Sequence, residues 1–236
     1  MSIEDEFIST VSHEMRTPLT SIRGFSQTLL NSWDKIDDEN KKKFIKIIEE
    51  QSNRLINLVE NILTVSKANA GKPVMTMVDI NASIRKILPI FVEKYKNHKI
   101  VFNEYKKLPK ARLDDDKFQQ VMTNLIDNAG KYSAEGKTIT ISTNVQNDFI
   151  TIDVADEGVG IKREDFGKLF QKFSRLENHL TSKTQGNGLG LYITKHLVEE
   201  MSGEISLESV EDKGTTFRLK FPIYNPEEAL KCFQKS

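Results

Sequence analysis

The sequence has little cysteine, proline or glycine: its 236 residues include one cysteine, six prolines and twelve glycines. Because the single cysteine, Cys232, cannot form an internal disulfide, the chain fits a reducing compartment. Glycine and proline are too few for a collagen-like or low-complexity protein. Apolar residues make up 38% of the chain, which excludes disorder over most of its length. The composition therefore predicts a folded globular protein.

Long apolar runs and an excess of charge of one sign are also missing. The longest apolar run, Ile87 to Val92, covers six residues and includes Pro89, whereas a membrane-spanning helix needs about 20. The first residues carry neither the basic stretch nor the apolar core of a signal peptide. Lysine plus arginine equals aspartate plus glutamate at 34 each, so nothing attracts the whole chain to nucleic acid or anionic lipid. We therefore expect a cytoplasmic chain that contacts neither membrane nor nucleic acid.

A change of composition near residue 70 predicts two domains. Residues 1–70 contain one proline and one glycine and have the pattern of long helices. After them, short β-rich runs alternate with helical patterns and glycine clusters. The break falls at residues 69–73, where a glycine followed by a proline stops a helix. We place one domain at 1–70, a second at 71–224 and a short polar tail at 225–236.

The first domain carries two heptad seams, which predict an antiparallel helical hairpin. The first seam consists of Ile8, Val11, Met15, Pro18, Ile22, Phe25 and Leu29, and the second of Phe44, Ile48, Gln51, Leu55, Leu58, Ile62 and Val65. Residues 31–38 between them have the composition of a turn. A lone hairpin would leave much of its apolar stripe in water, so we expect a homodimeric four-helix bundle. The alternative is a hairpin that docks on its own second domain.

The second domain mixes strands and helices, which predicts a two-layer α/β sandwich. Strand patterns occupy Ile100–Glu104, Thr138–Asn144, Ile150–Ala155, Glu204–Ser209 and Thr215–Phe221. Helical patterns occupy Ile80–Lys96, Asp116–Tyr132 and Leu191–Met201. The expected fold class is therefore a dimeric helical hairpin followed by an α/β sandwich.

His13 lies on the first helix at a position that a core residue would not take. With Ile8 at heptad position a, His13 falls at position f and points away from the seam. Glu14 and, one turn on, Thr17 share that surface, and Pro18 is a residue that commonly kinks a helix. An exposed imidazole with one free nitrogen and a carboxylate at the other is a competent nucleophile. The alternative, from these residues alone, is an ordinary solvated histidine.

The residues around His13 resemble the phospho-acceptor H box of sensor histidine kinases. Residues 7–20 read Phe-Ile-Ser-Thr-Val-Ser-His-Glu-Met-Arg-Thr-Pro-Leu-Thr, and the stretch from Ser12 to Leu19 is the long and specific part of the match. The resemblance implies that His13 accepts a phosphoryl group, that Glu14 acts as general base, and that Thr17 supports dephosphorylation of a partner protein.

Two glycine clusters and a row of amides in the second domain have the pattern of a nucleotide pocket. Residues 156–160, Asp-Glu-Gly-Val-Gly, follow a strand and let the backbone approach a ligand; an ordinary acidic turn is the alternative. Residues 186–190, Gly-Asn-Gly-Leu-Gly, open a helix whose free N–H groups suit phosphate. Gln120, Asn124 and Asn128 are spaced four apart on one helix face. Buried there, they would fit Mg²⁺; a solvated polar face is the alternative.

These segments resemble, in family order, four motifs of the histidine-kinase catalytic domain, a fold shared with gyrase-type, Hsp90 and mismatch-repair ATPases. The matching segments are 124–133 for the N box, 156–160 for the G1 box, 166–175 for the F box and 186–191 for the G2 box. With the H box, the resemblance covers roughly residues 5–223. Two residues depart from the family pattern: Asn187 replaces a threonine or serine, and Gly130 replaces a larger residue.

Carried over position by position, the resemblance implies an ATP site with Mg²⁺. It assigns the adenine amino group to Asp156 with help from Thr215, and Mg²⁺ to Asn128 with Asn124 beside it. The other cofactor-binding residues that it implies are Lys131, Tyr132, Gly158, Gly160, Gly186, Gly188, Leu189 and Gly190. Arg175 is expected to reach the γ-phosphate, and a mobile lid is expected over about 174–187.

The resemblance therefore implies the catalytic core of a sensor histidine kinase. ATP would phosphorylate His13, and the phosphoryl group would pass to an aspartate on the receiver domain of a response regulator docked near His13. Such a core is compatible with the cytoplasmic part of an inner-membrane sensor. Two alternatives stay open: a gyrase- or Hsp90-like ATPase, which would form no phosphohistidine, and a non-enzymatic dimeric scaffold, which would have lost the pocket motifs.

Overall fold

The computed structural model describes residues 3–67, 73–174 and 188–224. The chain divides into two compact units, one formed by the helices before residue 68 and the other by the rest of the described residues. The predicted break at 69–73 lies almost entirely outside the described residues, and the predicted tail at 225–236 lies outside them as well.

The first unit is the helical hairpin that the two seams predict. Helix α1 covers Ile3–Ser32 and helix α2 covers Asp38–Lys67, with a 3₁₀ turn at Trp33–Lys35 between them. The turn is shorter than predicted because α1 continues to Ser32. The second helix begins where it does because the Asp37 carboxylate accepts the backbone N–H of Asn40 at 2.9 Å, which caps its first turn.

The apolar seams of the hairpin meet between α1 and α2. The Phe25 and Phe44 rings are 5.1 Å apart, and Leu29 and Leu58 are buried. Other large apolar side chains of the hairpin are exposed, namely Leu19, Leu30, Ile45, Ile56, Val59 and Leu63. One hairpin therefore leaves apolar surface uncovered. Neither of these helices, nor any other described helix, is long and apolar enough to cross a membrane.

The second unit is a two-layer α/β sandwich, as predicted. Its strands are β1 Thr76–Val78, β2 Lys99–Asn103, β3 Ala111–Leu113, β4 Thr138–Gln146, β5 Phe149–Asp156, β6 Glu204–Val210 and β7 Gly214–Pro222. Its helices are α3 Ile80–Lys94, α4 Asp115–Tyr132 and α5 Gly190–Glu200, with a 3₁₀ turn at Arg163–Asp165. Every strand and helix predicted for this unit is present, with ends displaced by at most two residues.

Five of the strands form one sheet in the order β2-β4-β5-β7-β6. Strands β2 and β4 are parallel, and the other neighbours are antiparallel. The core lies between this sheet and the helices, and its fully buried members include Phe118, Met122, Leu125, Ile126, Ile139, Ile141, Ile150, Ile152 and Leu219. The β5–β7 register pairs Asp156 with Thr215. The sheet therefore brings together the two residues that the family resemblance assigns to adenine.

A second, two-stranded sheet pairs β1 with β3. The sequence pattern does not predict it, because three residues are too few to show an alternation of apolar and polar side chains. Its buried residues are Val78, Ala111 and Leu113. This small sheet holds the chain on either side of α3 and leads directly into α4.

Candidate functional site

His13 is exposed on α1, away from the seam, as its heptad position predicts. The neighbouring Glu14 is half-buried, and its Oε2 lies 3.3 Å from Nη2 of Arg54 on α2. Sequence reasoning missed Arg54, which is 40 residues from Glu14 and outside the H box. The ion pair anchors the Glu14 carboxylate against α2, while the adjacent His13 faces solvent.

Thr17 is exposed on the same helix, one turn after His13. Its Oγ1 lies 3.5 Å from the carbonyl oxygen of His13, at the limit of a hydrogen bond. Thr20 and Thr28, farther along α1, donate to the carbonyl oxygens four residues back at 2.8 and 2.9 Å. The Thr17 hydroxyl is therefore held less firmly by the backbone than its neighbours are.

Asp156 lies at the end of β5 and is fixed by two backbone donors. Its Oδ1 accepts the N–H of Gly158 at 2.8 Å and that of Thr215 at 3.2 Å. Burial raises the pKa of Asp156 to about 6, although the two hydrogen bonds favour the charged form. A poorly hydrated carboxylate in a fixed orientation is well suited to accept a hydrogen bond from a bound ligand.

The turn after Asp156 packs against the C-terminal end of α4. The N–H of Val159 donates to the carbonyl oxygen of Tyr132 at 3.1 Å. A Cβ on Gly158 would lie 2.3 Å from that carbonyl oxygen, and a Cβ on Gly160, where φ is 65°, would lie 2.0 Å from a backbone oxygen of β6. The predicted G1 segment therefore packs directly against the N segment, and only glycine fits at these two positions.

Thr215 is buried beside Asp156, and a hydroxyl that sequence reasoning missed supports it. Its Oγ1 lies 2.9 Å from Oγ of Ser209 on β6. The Ser209 hydroxyl also donates to the Gly214 carbonyl oxygen at 2.9 Å and accepts the N–H of Ile161 at 2.8 Å. Ser209 lies on the same face of β6 as the half-buried Ile205 and Leu207. A hydroxyl on this otherwise apolar face is the signal that could have identified it.

Asn124 joins α4 to the N-terminal end of α5. Its Nδ2 donates to Oγ1 of Thr194 at 2.7 Å, and a Cβ on Gly190 would lie 2.5 Å from its Oδ1. Gly188 precedes the helix with a φ of 68°, and Leu189 between the two glycines is buried. Because α5 approaches α4 closely here, the N–H groups at the N-terminal end of α5 lie beside α4. Such groups suit a phosphate.

The row of amides on α4 is only partly buried. Gln120 is exposed and so follows the alternative of a solvated polar face, whereas Asn124 and Asn128 are half-buried. Among the described residues, no group of His, Cys, Asp and Glu could hold a metal ion. The amide oxygens on this face nevertheless fit Mg²⁺, which takes oxygen ligands and completes its shell with phosphate and water oxygens. The family resemblance assigns this role to Asn128, and Asn124 beside it donates its Nδ2 to Thr194 on α5.

Lys131 and Tyr132 lie at the C-terminal end of α4. Nζ of Lys131 lies 2.5 Å from Oδ2 of Asp127, so this cation is paired within its own helix. Tyr132 is half-buried, and its carbonyl oxygen holds the turn after Asp156. Arg175, Gly186 and Asn187 lie outside the described residues, together with nearly all of the predicted lid at 174–187.

Two family models match this chain. The His Kinase A (phospho-acceptor) domain matches residues 3–71, and the Histidine kinase-, DNA gyrase B-, and HSP90-like ATPase matches residues 113–225. Sensor histidine kinase WalK of Bacillus subtilis is 34% identical over 94% of this chain and 37% of its own length. Signal transduction histidine-protein kinase ArlS of Staphylococcus epidermidis is 33% identical over 93% of this chain and 48% of its own length. The chain thus spans between a third and a half of these relatives.

Solved structures have the same architecture. The Acinetobacter baumannii histidine kinase AdeS is 26% identical and superposes with a TM-score of 0.71 over 90% of this chain and 98% of that chain. The histidine kinase ThkA, in complex with the response regulator protein TrrA, is 25% identical with a TM-score of 0.74 over 94% of this chain and 62% of that chain.

Proposed function

The chain belongs to the sensor histidine kinases of two-component systems, and from that premise we propose that it transfers the γ-phosphoryl group of ATP to His13 and then to an aspartate of a response regulator. The observation that carries the proposal is the placement of His13, which is exposed off the seam and next in sequence to Glu14, whose carboxylate Arg54 anchors. A gyrase- or Hsp90-like ATPase provides no reason for this arrangement.

ATP binds in the α/β unit. Both described backbone donors bond Oδ1 of Asp156, so we assign its Oδ2 to the adenine amino group. The Thr215 hydroxyl, which Ser209 orients, assists there. Gly158 and Gly160 let the turn after Asp156 pack against α4 and β6, which keeps Asp156 in place. The phosphates lie at the N-terminal end of α5, where Gly188 and Gly190 are found and the helix dipole is favourable, and the family resemblance adds Gly186 and Leu189 to this site.

Residues of α4, together with Arg175, act on the phosphates and their negative charge. Asn128 holds Mg²⁺ through its amide oxygen, Lys131 contacts the phosphates, Tyr132 lies beside the ribose, and Arg175 reaches the γ-phosphate. When bound, Mg²⁺ would supply positive charge against the negative charge that develops on the phosphates during transfer. The contribution of the protein is therefore mainly positioning and charge stabilisation.

Transfer to His13 forms one bond and breaks another. A ring nitrogen of His13 attacks the γ-phosphorus in line, the bond to the bridging oxygen breaks, and ADP leaves with the electron pair. Glu14 takes the imidazole proton, a role that contributes about 10²–10⁴-fold in other enzymes. To end the signal, Thr17 positions a water that hydrolyses the aspartyl-phosphate of the regulator.

The hairpin supplies the surfaces for both protein partners. Exposed apolar residues on it, Ile45, Ile56 and Leu63 among them, are covered by a second copy in a four-helix bundle. The regulator docks near His13, where a shallow cavity of about 400 Å³ along α1 has Met15 and Leu19 with Arg16 and Arg23 among its lining residues. The kinase core works in the cytoplasm, without contact to nucleic acid or to the membrane.

Labelling with ATP tests the proposal. The chain is incubated with γ-labelled ATP and Mg²⁺ and then treated with acid or base; phosphohistidine loses the label in acid and keeps it in base. His13→Gln should abolish labelling and leave ATP affinity nearly unchanged, because the nucleotide binds in the other unit. His196→Gln, on α5 beside Glu200, is the matched control and should label normally. Acid-stable label, or label retained by His13→Gln, would reject His13 as the acceptor.

A further inference from the structure

Gly130 in α4 leaves room for the ring of Tyr95. A Cβ on Gly130 would lie 2.5–2.6 Å from the ring atoms Cζ, Cε1 and Cε2 of Tyr95, closer than Cβ atoms approach other atoms in proteins. Glycine lowers helix propensity, so its presence inside α4 calls for a reason. The tyrosine ring supplies it: the space that a larger residue would fill is already occupied.

Tyr95 is itself held firmly at the end of α3. Its N–H donates to the carbonyl oxygen of Phe91 at 2.8 Å and closes the helix. The ring of His98 meets the Tyr95 ring edge-on, with centroids 5.5 Å apart and an angle of 81° between the planes. The Nζ atom of Lys94 lies 5.4 Å from the centroid of the same ring. The ring that faces Gly130 therefore has a fixed position.

The Tyr95 hydroxyl is bonded to the residue that holds Lys131. It donates to Oδ1 of Asp127 at 2.7 Å and lies 3.1 Å from the carbonyl oxygen of the same residue. Burial, together with the hydrogen bond and charge of Asp127, raises the pKa of Tyr95 well above its ordinary value. The hydroxyl therefore stays protonated and remains a donor.

Asp127 connects Tyr95 to the proposed phosphate site. It is the common partner of Tyr95, Lys94 and Lys131. Its Oδ1 is shared by Tyr95 and Lys94, and its Oδ2 lies 2.5 Å from Nζ of Lys131. Because the two oxygens belong to one rigid carboxylate, the hydrogen bond that fixes Oδ1 also fixes Oδ2. Oδ2 in turn holds the ammonium group of Lys131.

We propose that Tyr95 is a positioning residue of the ATP site, which acts through Asp127 to set where Lys131 meets the phosphates. The inference rests on the proposed function. Lys131 and Asn128 are three residues apart on α4 and therefore neighbours on its surface. The contact with Gly130 places this turn of the helix, and the hydroxyl orients Asp127. Tyr95 touches neither the nucleotide nor the reacting atoms.

The Tyr95→Phe variant tests the hydroxyl while the ring against Gly130 is kept. Dissociation constants for ATP and for adenosine are measured by competition with a fluorescent nucleotide. We expect ATP to bind about 3–10-fold more weakly, since one hydrogen bond to a charged group is lost. Adenosine, which has no phosphate, should keep its affinity within twofold. The matched control is Tyr105→Phe, because the Tyr105 side chain is exposed and its hydrogen bonds to Asn81 and Thr143 come from the backbone.

The Gly130→Ala variant tests the ring contact. Alanine must displace Tyr95, so we expect the same selective loss of ATP affinity, at least as large as in Tyr95→Phe. Gly24→Ala is its control, because a Cβ on Gly24 meets nothing within 4 Å. Should Gly130→Ala fail to fold, Tyr95→Phe alone decides the question.

Two outcomes would overturn the positioning role. One is a Tyr95→Phe variant that binds ATP as the unchanged chain does. The other is an equal weakening of ATP and adenosine, which would indicate a general loosening of the pocket. If the unchanged chain binds no ATP, the proposed function fails first, and this inference fails with it.

Discussion

Glu14 on α1 and Arg54 on α2 form an ion pair across the hairpin, with Oε2 and Nη2 3.3 Å apart. Both side chains remain about a quarter exposed, at 27% and 24%, so water screens part of their attraction. The pair therefore matters more for geometry than for stability. It decides where the carboxylate that we assign to proton transfer lies relative to His13.

Replacing Arg54 should slow autophosphorylation without affecting nucleotide binding. In Arg54→Ala, the Glu14 carboxylate loses its anchor, and we expect the labelling rate to fall about 3–10-fold, since a misplaced base loses part of its contribution. The affinity for ATP should stay the same. Single-turnover labelling measures the rate, and Lys43→Ala, exposed on α2, is the control. Equal rates in the Arg54 variant and the unchanged chain would show that the ion pair has no catalytic part.

Thr17→Ala should separate the two activities of the hairpin. The hydroxyl has no role in activating the imidazole, because Glu14 is nearer and accepts the proton, so autophosphorylation and phosphotransfer should stay within a few-fold. Dephosphorylation of the phosphorylated regulator should slow about tenfold or more, as expected for one lost hydrogen bond in the transition state. Glu14→Gln should show the opposite bias and lose mainly kinase activity.

The competing explanation for Thr17 is structural. A hydroxyl that bonds the carbonyl of His13 would shape α1 before Pro18, and its loss would then alter both activities together. The 3.5 Å separation between the Thr17 hydroxyl and that carbonyl argues against a firm bond. Both rates measured on purified Thr17→Ala with a true partner regulator decide between the two, and a parallel loss would reject the phosphatase role.

Asp156→Ala and Asn128→Ala should each remove Mg-ATP binding while the dimer persists. Asp156 is the proposed adenine acceptor and Asn128 the proposed Mg²⁺ ligand, and neither residue belongs to the hairpin. Calorimetric titration measures binding, and sedimentation measures the oligomeric state. Asn57→Ala, exposed on α2, is the control and should bind normally. Normal binding by either pocket variant would show that the pocket is placed wrongly.

The stability of the protein should depend on the titration of Asp156. Its pKa is about 6 in the folded protein against an ordinary value of 3.8, so between these values the folded state binds more protons than the unfolded state. The contribution of this group to the free energy of unfolding therefore falls as the pH rises from about 4 to 6. By pH 7 the loss should reach about 2–3 kcal/mol.

Denaturant unfolding at pH 5 and pH 7 isolates this effect. Asp156→Asn removes the titrating group and keeps the shape, so the variant should gain stability relative to the unchanged chain on going from pH 5 to pH 7. Asp148→Asn, in the turn between β4 and β5, serves as the control. A constant difference between Asp156→Asn and the unchanged chain across this range would show that burial does not shift the pKa of Asp156.

Local sequence patterns were enough to predict the helices and strands of the fold and to mark His13 and the glycine clusters as candidate site residues. Heptad spacing marked both hairpin helices, alternation marked the five strands of the main sheet, and His13 was expected to be exposed from its heptad position alone. These signals are local: an apolar stripe or a glycine turn depends on neighbours a few residues away. The row of amides shows the limit, because spacing alone could not indicate that Gln120 is exposed while Asn124 packs against α5.

The pairings that complete the proposed site became visible only in the folded chain, because they join residues far apart in sequence. Arg54 reaches Glu14 across 40 residues of chain, Tyr95 explains the departure at Gly130, and Asp127 rather than solvent holds Lys131. Ser209 supports Thr215 from a neighbouring strand. Each of these pairings depends on the register between packed elements and on the space left between their side chains. Neither quantity can be read from the spacing of residues along one segment, because it exists only once two segments have been brought together.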